Sequence, residues 1–145
     1  MKPINRFTLE KHDGEYETWP LRSRLFLDGK RTKLSLPGYV LLSQFETSDG
    51  YILITDYDCP FEEITNFAFI SKEPLRLISC RWLGWMYETF LLQDIKWIDE
   101  RTFIAVIGGS DHCWRLSIRS WGIPYIRPRL KLQWWVNGRR DYTRD

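Results

Sequence analysis

Apolar and polar residues alternate along most of this chain, in short runs separated by turn-forming residues. Leu21, Leu25 and Leu27 alternate with Arg22 and Arg24, Asp28-Gly29 follows, and Lys33 to Leu36 returns. A period of two puts successive side chains on opposite faces of a strand. Gly and Asp tolerate the positive φ that closes a tight hairpin. The same grammar predicts a hairpin of 39–46 with 51–56 across Ser48-Asp49-Gly50, and strands at 64–71 and 75–82 around Lys72-Glu73-Pro74. Further strands are predicted at 87–97, 102–107 and 112–120. In the last of these, Trp114, Leu116 and Ile118 share one face and Arg115, Ser117 and Arg119 the other. A final strand alternates Leu130, Leu132 and Trp134 with Arg129, Lys131 and Gln133. With a short strand near Phe7 to Leu9, about ten strands result, and no amphipathic stretch is long enough to predict a helix.

The predicted fold is therefore all-β: an antiparallel meander of about ten strands closing as a β-barrel or as a two-sheet β-sandwich. A barrel removes sheet edges and a sandwich is its rival. Residues 1–136 are expected to form a single domain, and the polar, basic segment 137–145 a mobile tail. A chain of 145 residues suffices for a core without staples. Eight Trp, seven Tyr and eight Phe exceed what such a core needs, so some are expected at a surface or lining a cavity.

No apolar h-region follows Met1-Lys2-Pro3 and no apolar run reaches membrane length, so no secretory leader is expected, and three widely spaced cysteines (Cys59, Cys80, Cys113) suggest no disulfide framework. A cytoplasmic protein with no membrane contact is the expectation. Charge is uneven. Residues 41–100 carry four basic and eleven acidic side chains, whereas residues 101–145 carry nine basic and three acidic. The molecule is dipolar if these blocks stay apart in space and neutral if they fold together.

Catalytic constellations are weak. Asp111-His112-Cys113 puts acid, base and thiol in sequence, but strand neighbours face opposite ways, so His112 is badly placed to activate Cys113. Cys59, Cys80, His112 and Cys113 are zinc-ligand types without the close pairing of a structural site. No enzyme, metal or cofactor is expected.

The most distinctive local feature is acidic and aromatic: Asp56, Tyr57, Asp58, Phe61, Glu62 and Glu63, with Pro60 among them. General acid–base work needs a substrate cleft as well, and calcium binding lacks the expected ligand spacing. A recognition loop for a basic partner remains, with Tyr57 and Phe61 as anchors and the carboxylates steering association. The leading expectation is a non-catalytic protein-binding domain, specifically a cytosolic immunity or inhibitor protein that occludes the active site of a cognate bacterial toxin enzyme such as a nuclease. A barrel enclosing a small apolar or carboxylated ligand is the alternative. Single-stranded nucleic acid binding through Arg22, Arg24, Arg115, Arg119, Arg129 and Lys131 ranks third and is not expected.

Overall fold

A computed structural model describes residues 1–57, 64–84, 92–107, 112–136 and 139–144. The strands, in chain order, are β1 (Lys2–Pro3), β2 (Phe7–Leu9), β3 (Arg22–Leu27), β4 (Lys30–Pro37), β5 (Val40–Glu46), β6 (Tyr51–Asp56), β7 (Thr65–Ser71), β8 (Arg76–Leu83), β9 (Leu92–Asp99), β10 (Thr102–Ile107), β11 (His112–Ile118), β12 (Leu130–Val136) and β13 (Arg139–Arg144). A single 3-10 turn, Tyr16–Thr18, interrupts the connection between β2 and β3. All pairings are antiparallel.

These strands form three sheets, ordered β1-β5-β6-β7-β8, β13-β12-β11-β10-β9 and β2-β3-β4. Two cores show how the sheets stack. Ile52, Ile54, Phe67 and Phe69 of the first sheet pack with Phe103, Ala105, Leu116 and Leu132 of the second. Their strand neighbours Tyr51, Leu53, Ala68 and Ile70 pack with Phe7, Leu25 and Leu36 of the third. The first sheet is thus the middle layer of three. Register agrees: Ile52 opposes Phe69 and Ile54 opposes Phe67 on one face, while Leu53 opposes Ala68 on the other.

This arrangement is sandwich-like, as one of the two expected closures has it, but with an additional sheet. Among the described residues no sheet closes into a barrel, and the sandwich has a third layer. The physical reason is visible in β6 and β7, where Tyr51 to Thr55 and Thr65 to Ile70 are buried without alternation. A strand covered on both faces reads as a continuous apolar run. β11 alternates as the sequence predicts, with Leu116 and Ile118 buried, and in β10 Phe103, Ala105 and Ile107 are buried. Residues 139–144, expected as a tail, instead pair their backbone with β12. Gln133, on the polar side of the predicted alternation, is buried in β12 between Arg115 and Thr143 of the flanking strands.

Ion pairs tie the layers at one end. Arg101, in the β9–β10 turn, meets Asp49 of the β5–β6 turn at 2.9 Å, and the amino group of Met1 pairs with Glu100. Arg6 grips both carboxylate oxygens of Asp28 at 3.2 and 2.8 Å, and Lys2 and Lys72 flank Glu46 at 3.3 and 3.2 Å. Hydrogen bonding to Arg6 holds the Asp28 carboxyl below its ordinary range, and Lys72 and then Lys2 do the same for Glu46. A carboxylate whose pKa is depressed by folding contributes stability above its unfolded pKa and loses it as pH falls through the folded value. Asp28 and its partner Arg6 are exposed and Glu46 is only half-buried beside exposed lysines, so the contribution is small. The expected outcome is a shallower acid limb for the D28N/E46Q double variant than for the native chain, between roughly pH 5 and 2. Denaturant titrations across that range check it, and parallel limbs would show that the two sites contribute nothing.

Candidate functional site

The end of the molecule opposite those ion pairs is built around Tyr39. Strand β4 stops at Pro37, and the chain crosses from the outer three-stranded sheet to the middle sheet through Gly38, at φ +111°. Side-chain hydroxyls fasten this crossing. Ser23 donates to the Gly38 carbonyl at 2.6 Å, Thr55 donates to the Pro37 carbonyl at 2.6 Å, and the Tyr39 amide donates to Asp56 at 2.8 Å. His12 Nε2 lies 2.9 Å from Ser23 Oγ. A hydroxyl has one proton, and Ser23 directs its own to Gly38, so Nε2 is the protonated, donating nitrogen of His12.

Fixed in this way, Tyr39 meets four other rings. Centroid distances are 5.3 Å to His12, 5.7 Å to Tyr16, 5.2 Å to Trp19 and 5.1 Å to Tyr57, with interplanar angles of 75–89°. Edge-to-face contacts of this kind contribute about 0.5–1.5 kcal/mol each beyond their burial. Tyr57 is held at its other end too, its hydroxyl donating to the Leu21 carbonyl at 3.3 Å.

The cluster joins two acidic segments distant in sequence. One is the start of the predicted recognition loop, Asp56 and Tyr57. The other is the β2–β3 connection, where exposed Asp13, Glu15 and Glu17 flank Tyr16 and Trp19. A 3-10 turn orders that connection, with the Thr18 hydroxyl and amide both donating to the Glu15 carbonyl at 2.6 and 2.9 Å. None of these three carboxylates forms an ion pair among the described residues. Glu10 differs, because its carboxylate accepts from the Arg24 amide at 2.7 Å.

Of the predicted site residues, Asp56 and Tyr57 thus lie at this end, while Asp58, Phe61, Glu62 and Glu63 lie outside the described residues. The sequence reading missed Asp13, Glu15, Tyr16, Glu17 and Trp19. They stand within residues 1–40, where eight basic side chains outnumber five acidic ones and hide them in any block-wise reading of charge. The local interleaving of acid and aromatic was the available signal.

The other constellations lie only partly within the described residues. Among the described residues no three His, Cys, Asp or Glu side chains gather as a metal site. Burial pushes the Cys80 thiol up, away from the nucleophilic thiolate. His112 and Cys113 are consecutive in β11, and Asp111 and Cys59 fall outside the described residues. The basic strand faces are split, since Arg22 and Arg24 belong to one outer sheet and Arg115 and Lys131 to the other. Of the tryptophans, Trp82 and Trp121 are exposed, as expected for some of the eight. No helix among the described residues is long and apolar enough to cross a membrane.

The fold and site define an all-β, three-sheet protein with an acidic, ring-studded end. Comparison with family models, curated proteins and solved structures finds no match to the chain.

Proposed function

We propose that this chain is a non-catalytic protein-binding domain that caps a basic site on its partner, and specifically a cytosolic immunity protein that occludes the active site of a bacterial toxin enzyme such as a nuclease. The supporting observation is the convergence of two acidic segments, around Glu15 and Asp56, on one five-ring cluster. Asp13, Glu15 and Glu17, which form no ion pair among the described residues, attract a basic surface and accelerate encounter. Aromatic side chains locked by their neighbours lose little entropy on binding and supply apolar contact. On this reading Tyr16, Trp19 and Tyr57 are the anchors and Asp13, Glu15 and Glu17 steer.

The test is a tagged pull-down at low and raised salt, comparing the native chain with a D13K/E15K/E17K variant. The native chain should retain one stoichiometric protein, weakened by salt. The variant should lose at least about 100-fold in affinity for the purified partner, largely through slower association. Full retention of that partner by the variant would remove the acidic end from the interface and sink the proposal.

A further inference from the structure

The opposite end of the sandwich carries a feature that the acidic site does not use. Between β11 and β12 the chain forms a tight turn, Ile123-Pro124-Tyr125-Ile126, closed by three backbone hydrogen bonds. The Ile126 and Arg127 amides donate to the Ile123 carbonyl at 3.1 and 2.8 Å, and the Ile123 amide donates to Arg127 at 2.9 Å. Arginines brace it from beneath. The Arg127 guanidinium lies 3.8 Å from the Trp121 ring centroid and donates to the Trp121 carbonyl, and Arg129 donates to the Arg119 carbonyl while lying over Phe69. The contact with Phe69, close to the β5–β6 turn in register, fixes this loop at the end remote from Tyr39.

Two properties of the tip have no structural purpose within the chain. Its apolar side chains face solvent: Tyr125 is fully exposed, Ile126 is 75% exposed and Trp121 is 55% exposed. In addition, Tyr125 has φ +64°. A turn with Pro in its second position and positive φ in its third normally places Gly or Asn there. A bulky side chain in that region is strained, and strain retained at an exposed tip points to a use for the side chain.

We infer that the 121–127 loop is a second interaction surface, a prebuilt anchor whose Tyr125 and Ile126 enter an apolar pocket with a carboxylate rim on a protein partner. The rim follows from charge. Among the described residues neither Arg127 nor Arg129 pairs with a carboxylate, and both spend their hydrogen bonds on neutral carbonyls, so their positive charge is left for an acidic surface. A protein pocket suits the loop better than a bilayer. Few apolar side chains project, and both guanidiniums are held at fixed positions by backbone carbonyls, an arrangement that matches a shaped rim rather than a fluid layer of headgroups. Rigid Trp, Tyr and Arg presented together are the composition of interface hot spots.

The inference is independent of the acidic site and is tested with a photo-reactive phenylalanine analogue at position 126 of the full chain, in cells that make the protein. The expected result is one discrete protein adduct that disappears in a Tyr125→Asn background. The adducted protein, once purified, should bind the Tyr125→Asn chain at least 100-fold more weakly than the native chain. Because Asn tolerates positive φ, that variant should melt no lower than the native protein. A lower melting temperature would make Tyr125 a structural residue and overturn the inference. So would adducts to lipid alone or to a second copy of this chain, no adduct, or an adduct indifferent to Tyr125→Asn.

Discussion

Leu53→Ala and Ile54→Ala, at consecutive positions of β6, should each destabilise the protein by about 2–5 kcal/mol. In a two-layer sandwich, neighbours on a strand face opposite ways, and one of the two would look into solvent, where truncation changes stability by within about 0.5 kcal/mol. Here Ile54 packs in the core shared with Phe67 and Phe103, while Leu53 packs in the core shared with Phe7 and Leu25. Both are fully buried. Deleting either side chain removes its transfer energy and leaves a cavity that a sheet clamped on both faces is poorly able to collapse. An outer strand supplies the control: in β11, Leu116→Ala should be costly, and Ser117→Ala, half-buried on the outward side, close to neutral. Equilibrium denaturation of the four variants measures this directly. A negligible cost for Leu53→Ala would dissolve the inner layer formed with β2-β3-β4.

Gly38→Ala should cost about 3 kcal/mol or more and disorganise the Tyr39 cluster. Two effects add. An L side chain at φ +111° is strained by about 1–3 kcal/mol. A Cβ would also stand 2.8 Å from Thr55 Oγ1 and 2.9 Å from the Asp56 carbonyl oxygen, the latter belonging to backbone held in the β5–β6 ladder. Overpacking of this kind typically costs about 1–3 kcal/mol. Relief by moving the crossing would break the hydrogen bonds from Ser23 and Thr55 and displace Tyr39 from its four ring contacts. Gly29→Ala separates the two effects. Its φ is +79°, but no atom lies within 4 Å of the added Cβ, so only the backbone strain of roughly 1–2 kcal/mol is expected. Denaturation gives both values, and near-ultraviolet circular dichroism reports the rings. A Gly38→Ala chain with native ellipticity and native stability would show that the crossing is not what positions the cluster.

The acidic end and the Tyr125 loop differ in how they were hidden from a sequence reading. Asp56 and Tyr57 stand in an evident acidic run, whereas Asp13, Glu15 and Glu17 join them only because β4 crosses between sheets at Gly38 and brings Tyr39 against Tyr16 and Tyr57. That proximity comes from topology and has no local signature. The loop at Trp121 to Arg127 contains the turn residues Gly122 and Pro124, but its positive φ falls at Tyr125, in a turn type that sequence assigns to Gly.

Strand positions, their antiparallel hairpins and the inward sides of β11 and β12 followed from the period of two, because that period is a property of the backbone and needs no partner. The continuous runs Tyr-Ile-Leu-Ile and Phe-Ala-Phe-Ile also stood in the sequence, yet a two-sided burial of β6 and β7 is defined only when both covering sheets are known. The same holds for β13 and for Gln133, whose burial depends on a neighbouring strand rather than on its own polarity. Charge shows the division most plainly. The sequence determined how many carboxylates and guanidiniums there are, whereas the tertiary structure decided which of them share a surface, since electrostatic interaction depends on distance in space and not along the chain.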